Sequence, residues 1–200
     1  MLDVRDTWTI GNHGLELAPP NAPPEPRADA VPFESALASA REQCVAFASS
    51  HGGVIVEDKH WTVSVHYRRA DDRATSEIVN GVRRIAERFG LRATRGKSVL
   101  EIRPPINVDK GIASVELLRR LGAPTPGSSV FCAGDDRTDE DMFREIRLAY
   151  PRAVTVHVAS GGASAGQYSG AAELTVADPL ALQHMLEAIV DLRRSVPGPA

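Results

Sequence analysis

Proline restricts this chain more than any other residue. Pro19, Pro20, Pro23, Pro24 and Pro26 crowd one short stretch, and Pro104-Pro105 follow Arg103. Proline fixes φ and carries no N–H, so neither stretch can be regular helix or the middle of a sheet. The two clusters act as stiff joints. They divide the sequence into an opening segment (residues 1–18), an enclosed block (19–105) and a closing segment (106–200).

The enclosed block has its own pattern. Residues 33–51 read as a helix that stops at Gly52-Gly53. Residues 54–57 and 61–68 read as a hairpin. Residues 73–89 read as a second helix ended by Gly90, and 99–103 as another strand with one before it near 91–94. That is a small α+β unit. After it the rhythm changes to helix (110–121), apolar strand (130–133), helix (139–150), strand (154–158), glycine-rich loop (161–166) and helix (179–194). Strands alternating with helices imply a parallel sheet, and such sheets carry their chemistry at the strands' carboxyl ends.

The totals exclude some classes of function. Two hundred residues suit one domain, or a core with a smaller insert, and a net charge of −3 argues against a nucleic-acid or anionic-membrane partner. No apolar stretch approaches the ~20 residues that span a bilayer. The start, Met1-Leu2-Asp3-Val4-Arg5-Asp6, is charged and has no signal-peptide core. Cys44 and Cys132 form no CxxC and read as buried thiols, which fits a reducing compartment and a cytoplasmic location.

One stretch carries more charge than a fold needs. Five of the seven residues from Asp135 to Asp141 are carboxylates, and the apolar run Val130-Phe131-Cys132-Ala133-Gly134 leads into them. Thr138 can cap a helix whose first turn holds Asp139, Glu140 and Asp141, where the helix dipole favours anions. Asp135 and Asp136 precede that cap. Two adjacent carboxylates repel and lose hydration unless a cation joins them, and oxygen ligands without His or Cys favour Mg²⁺ over zinc. Lys110 supplies a complement. Asp109 can cap the following helix, which puts Lys110 in its first turn, where an ammonium and free N–H groups make a phosphate site. By itself Lys110 can equally be an exposed lysine.

These residues resemble a known family. The strand and "GDDRTDEDMF", preceded by "EIRP" and "DKG", are similar to two motifs of the haloacid-dehalogenase superfamily. More narrowly they resemble trehalose-6-phosphate phosphatase, as do "GNHGLEL" (11–17) and "VEDKHWTVSVHYR" (56–68). The resemblance implies a Rossmann-like core that holds Mg²⁺ and phosphate, with an inserted α+β cap that reads the sugar. It implies that Asp135 ligates Mg²⁺, that Asp139 supports the metal or its waters, and that Lys110 neutralises phosphate and nucleophile. Strand parity puts Thr62, Ser64, His66 and Arg68 on one face, and Glu101 and Arg103 on one face of the last cap strand. Such a face can simply be solvated. With the resemblance, Glu57, Lys59, His66, Arg68 and Glu101 are expected to bind sugar hydroxyls, with Asn12 and His13 close to the substrate. His13 can also be structural.

The family's D-x-D-G-T motif, which brings the attacking aspartate, occurs nowhere in these residues. Asp139-Glu140-Asp141 has the spacing but lies in the helix start. Asp71-Asp72 follows no buried strand. The expected fold is therefore a partial haloacid-dehalogenase core, its first strands missing, with an α+β cap. The expected function is trehalose-6-phosphate phosphatase, with trehalose-6-phosphate as substrate, in an N-terminally truncated form inactive alone. Two alternatives stand beside it. One is a non-catalytic sugar-phosphate-binding module, working with a separate N-terminal segment. The other is a sugar-phosphate phosphatase of the same superfamily with a different specificity.

Overall fold

The computed structural model describes residues 6–159 and 170–195. The glycine-rich loop at 161–166 lies outside them. The chain forms two compact units, Met1–Val108 and Asp109–Ala200.

The first unit opens with a three-stranded antiparallel sheet: β1 (Thr9–Gly11), β2 (Glu16–Ala18) and β3 (Glu25–Pro26). Pro26 sits in a two-residue edge strand, a place its missing N–H permits. Helix α1 (Glu34–Ala48) follows, then β4 (Ile55–Asp58), β5 (Val63–His66), α2 (Thr75–Arg88), β6 (Arg92–Arg95) and β7 (Val99–Arg103). These four strands form an antiparallel sheet in the order β4-β5-β7-β6. Val63, Val65, Leu100 and Ile102 are buried on one face with Leu37, Ala40, Ile78 and Val82 of the two helices. Asp71 starts the turn into α2 by accepting the N–H of Arg73 at 2.9 Å. The opposite face carries the polar side chains.

The second unit is three-layered. Helix α3 (Lys110–Arg120) is capped by Asp109, which accepts the N–H of Ile112 at 2.8 Å. Then come β8 (Phe131–Gly134), α4 (Arg137–Ala149), β9 (Val154–Val158), β10 (Leu174–Val176) and α5 (Pro179–Ser195). The strands run parallel in the order β10-β9-β8. Alternation along β8 divides the core. Cys132 packs with Val115, Ile146 and Ala153 under α3 and α4, whereas Phe131 and Ala133 pack with Val156, Val158 and Val176 on the side of α5. β10 was not expected from sequence, because three residues are too few to show a period of two. No described helix is long and apolar enough to cross a membrane.

Candidate active site

In the second unit β8 ends at Gly134 and the chain turns straight into α4. Asp136, not Thr138, is the helix cap, and the helix begins at Arg137 rather than Asp139. One Asp136 oxygen accepts the N–H of Thr138 at 2.7 Å, its hydroxyl at 2.7 Å and the N–H of Asp139 at 2.9 Å. The Asp139 carboxylate answers by accepting the N–H of Asp136 at 3.1 Å, completing a capping box. A carboxylate placed two residues earlier satisfies more orphan donors than the threonine hydroxyl could. Burial pushes the Asp136 carboxyl up, but the Thr138 hydroxyl, the two amides and the charge of Lys110 outweigh it and hold it below the ordinary range. Asp135 and Asp136 are both exposed.

Asp139 is the buried member, at 3% exposure. One oxygen takes the Lys110 ammonium at 2.5 Å, and the other takes the N–H groups of Asp135 at 2.9 Å and Asp136 at 3.1 Å. A Cβ on residue 134 would lie 2.1 Å from the Asp139 Cγ, so only glycine lets this carboxylate settle under the turn. Glu140 accepts the N–H of Ala171 at 2.6 Å, and Asp141 pairs with Arg144 at 2.9 Å. Four of the five carboxylates therefore have folding roles.

Asp135 is different. Its carboxylate has no hydrogen-bond or ion-pair partner among the described residues, and the residue directly follows β8 at the carboxyl end of the parallel sheet. Lys110 spends one of its three donors on Asp139, and its side chain is 40% exposed, which leaves donors for an anion. Among the described residues no three His, Cys, Asp or Glu side chains cluster to hold a metal. The donors do suit Mg²⁺, which is commonly held by one or two carboxylates with phosphate and water completing its shell.

In the first unit a second cluster forms on the polar face of the four-stranded sheet. Pairing places Glu57, Ser64, Glu101 and Thr94 in one row across it. Glu57 accepts from the His66 ring at 2.9 Å and lies 3.8 Å from the Lys59 ammonium. The His13 ring meets Glu101 at 3.4 Å. Asn12 and His13 adopt left-handed φ values of 46° and 54°, a conformation Asn and His tolerate better than most residues. Asn12 donates to Glu16 at 2.6 Å and to the Lys59 carbonyl at 3.0 Å, and accepts from Thr62 at 3.4 Å. Arg68 lies beyond His66, in a neighbouring pocket. So six of the seven expected sugar-reading residues share one network, and the seventh adjoins it.

Burial raises the Glu101 carboxyl, but His13, Arg103 and Lys59 together hold it below the usual value. Its Oε1 is nonetheless buried with no partner among the described residues. Such an atom costs about 1–3 kcal/mol unless a ligand completes it. Sequence reasoning missed Glu16, Thr62 and Arg103 as supports. Parity had put Arg103 beside Glu101, which was the available signal. Glu16 and Thr62 are tied in by the fold of the Asn12 turn, which no period reveals.

Residues 1–179 match the family model described as trehalose-phosphatase. The chain belongs to this family. It is 37% identical over 149 residues to a trehalose-phosphate phosphatase of Mycobacterium avium, covering 72% of this chain and 37% of that protein. It is 36% identical over 148 residues to a protein of Mycobacterium tuberculosis named an uncharacterized glycosyl hydrolase, covering 72% of this chain and 11% of that one. The chain thus spans well under two thirds of both relatives. Among solved structures, the trehalose-6-phosphate phosphatase of Aspergillus fumigatus superposes with a TM-score of 0.64 at 28% identity, covering 92% of this chain and 68% of that one. A trehalose-6-phosphate phosphatase related protein superposes at 0.72 with 23% identity, covering 95% and 75%, which supports the α/β fold.

Proposed function

We propose that these residues provide the sugar-reading and phosphate-holding parts of a Mg²⁺-dependent trehalose-6-phosphate phosphatase. The observation that carries the sugar half is the buried Oε1 of Glu101, unpartnered among the described residues and set beside His13, Lys59 and Glu57. A carboxylate oxygen fixed in this way accepts a hydroxyl proton and orients a polyol. Residues 19–105 act as the cap and 106–200 as the remainder of the core.

On the phosphate side Asp135 would hold Mg²⁺, which when bound neutralises phosphate oxygens. Lys110 donates to the same anion while Asp139 fixes its ammonium and the amides behind Asp135. None of these groups attacks phosphorus. Asp139 is buried in its own bonds, and the 200 residues contain no D-x-D-G-T. The nucleophile and general acid come from a polypeptide segment outside these residues, whose strand pairs with the open edge of β8. The work takes place in the cytoplasm.

The absence of that motif also favours a second reading, a sugar-phosphate-binding module without catalysis. An assay separates them. The 200 residues with Mg²⁺ should release no phosphate from trehalose-6-phosphate above an Asp135→Ala control. Fused to a relative's segment carrying D-x-D-G-T, they should release it, and Asp135→Ala should abolish that release. A folded, inactive fusion leaves the binding module. A fusion active on other sugar phosphates alone replaces trehalose-6-phosphate as the substrate.

A further inference from the structure

A second concavity on the first unit has the wrong charge for a solvated groove. It encloses about 500 Å³ and is lined by Gly53, Ile55, His66, Arg68, Arg69, Lys97, Ser98 and Val99. Three of these are full cations and none is a carboxylate. Arg68, Arg69 and Lys97 make no ion pair with any described residue; this they share with other cations of the unit, such as Arg83 and Arg92, but here three of them line one hollow. Like charges gathered in one hollow repel unless an anion joins them.

The hollow is built rather than accidental. Its floor is the strand row Ile55–His66–Val99, next to the row that holds Glu57, Ser64 and Glu101. Its cations arrive from two loops that are tied together. The N–H of Tyr67 donates to the Ser98 carbonyl at 3.0 Å, and Arg95 donates to the Tyr67 hydroxyl at 3.2 Å. Gly53 has φ 82°, and a Cβ there would lie 2.1 Å from the Arg69 carbonyl oxygen, so the Arg68-Arg69 loop rests on bare backbone. Charges that merely protect a sheet edge would lie along the edge strand, as Arg92 and Arg95 do on β6. Arg68, Arg69 and Lys97 instead converge at the end of the sheet. Of the nearby acids, Glu57 is engaged by His66 and Lys59, Asp71 accepts the N–H of Arg73, and neither lines the hollow.

We propose that this hollow is an oxyanion-binding site, taking a phosphate or sulfate group, free or as a small ester. Its lining comes from the first unit alone, whereas Lys110 belongs to the second. Arg68 belongs to both the sugar-reading set and this rim, so an anion here would couple to the sugar row through Arg68 and through the His66–Glu57 bond. The site stands whether or not the chain takes part in hydrolysis.

The test is calorimetric titration of the full 200-residue chain with inorganic phosphate, in a Lys110→Ala background that removes the other anion position. Binding should persist in that background, weaken as salt rises, and fall at least tenfold on adding Arg69→Glu with Lys97→Glu. Amide NMR shifts of Gly53 and Ser98 should move with phosphate and stop moving in the variant. Arg69→Gln with Lys97→Gln, which adds no negative charge, should weaken binding in the same direction and covers the case that the double Glu variant misfolds. A glucose-6-phosphate arm distinguishes an ester from the free ion. No measurable phosphate binding in the Lys110→Ala chain, or binding indifferent to Arg69 and Lys97, would overturn the site.

Discussion

Replacing Asp139 by alanine tests how the acidic stretch is held together. The side chain is 5% exposed and accepts from Lys110 and from the N–H groups of Asp135 and Asp136. Hydrogen bonds to a charged group contribute about 1.5–3 kcal/mol each, and a buried ion is costly to strand. The losses do not add in full. Lys110 is 40% exposed and regains water, and the amides belong to exposed residues. A net destabilisation of about 2–4 kcal/mol follows. Asp139→Asn keeps an acceptor for the amides but loses the charge facing Lys110, so it should cost about half as much. Gly134→Ala should resemble Asp139→Ala, because its Cβ would occupy the carboxylate's place. Both tryptophans, Trp8 and Trp61, lie in the first unit. Unfolding should therefore be followed by circular dichroism in urea, with hydrogen exchange at the amides of Asp135 and Asp136. Less than about 0.5 kcal/mol of loss, with both amides as protected as before, would refute the arrangement.

Three other outcomes can be checked directly. In the fused enzyme, Glu101→Ala and Arg68→Ala should reduce turnover of trehalose-6-phosphate about tenfold more than that of a small aryl phosphate, since both residues belong to the proposed sugar-reading set; equal losses would remove them from sugar binding. Glu57 (bonded by His66), Asp58 (by the His60 amide and Arg41) and Glu101 (by His13, against its burial) all titrate below their ordinary values of 4.5, 3.8 and 4.5 when folded. The unfolded chain then takes up protons first, so the first unit should keep this stabilisation above those values and lose it as pH falls through the lower folded ones; acid titration of Glu101→Gln should show a shallower fall. Burial pushes the Cys44 thiol up to about 11, and burial with the Asp139 charge does the same for Cys132, so both should alkylate slowly at pH 8 until urea unfolds the chain.

The sequence made the architecture legible where a period was long enough to read. The helices, the hairpin of β4 and β5, and β9 followed from apolar spacing and from glycine or aspartate at their ends. The polar face of the four-stranded sheet followed from parity alone, since Glu57, Ser64 and Glu101 pair across three strands. What escaped was local geometry. Thr138 and Asp136 are both good caps by composition, and the choice between them depends on where β8 stops and on Asp139 folding back beneath the turn. That fold-back needs Gly134, whose purpose is invisible until the carboxylate is seen against it. The role of Arg103 was hidden for a similar reason. It is 9% exposed and donates to the Val108 carbonyl at 2.5 Å, a bond set by how the chain leaves the second proline cluster.

The division of labour among the carboxylates yields a double dissociation. Asp135 is exposed, unpartnered among the described residues and adjacent to the negatively charged Asp136. Asp135→Asn should therefore leave stability unchanged within about 0.5 kcal/mol, or raise it slightly by easing repulsion. It should also weaken Mg²⁺ binding, because an amide oxygen is a poorer ligand for a hard cation than a carboxylate. Asp139→Asn should do the reverse at first order. It lowers stability by loosening Lys110 and the turn, while the Asp135 carboxylate proposed to meet the metal remains. Urea titration and Mg²⁺ titration of the two single variants, with the double variant to expose any coupling between neighbours, separate the roles. If Asp135→Asn destabilises the chain as much as Asp139→Asn, its carboxylate is a structural part like the other four. The crowding of charge at the end of β8 would then be a folding device throughout.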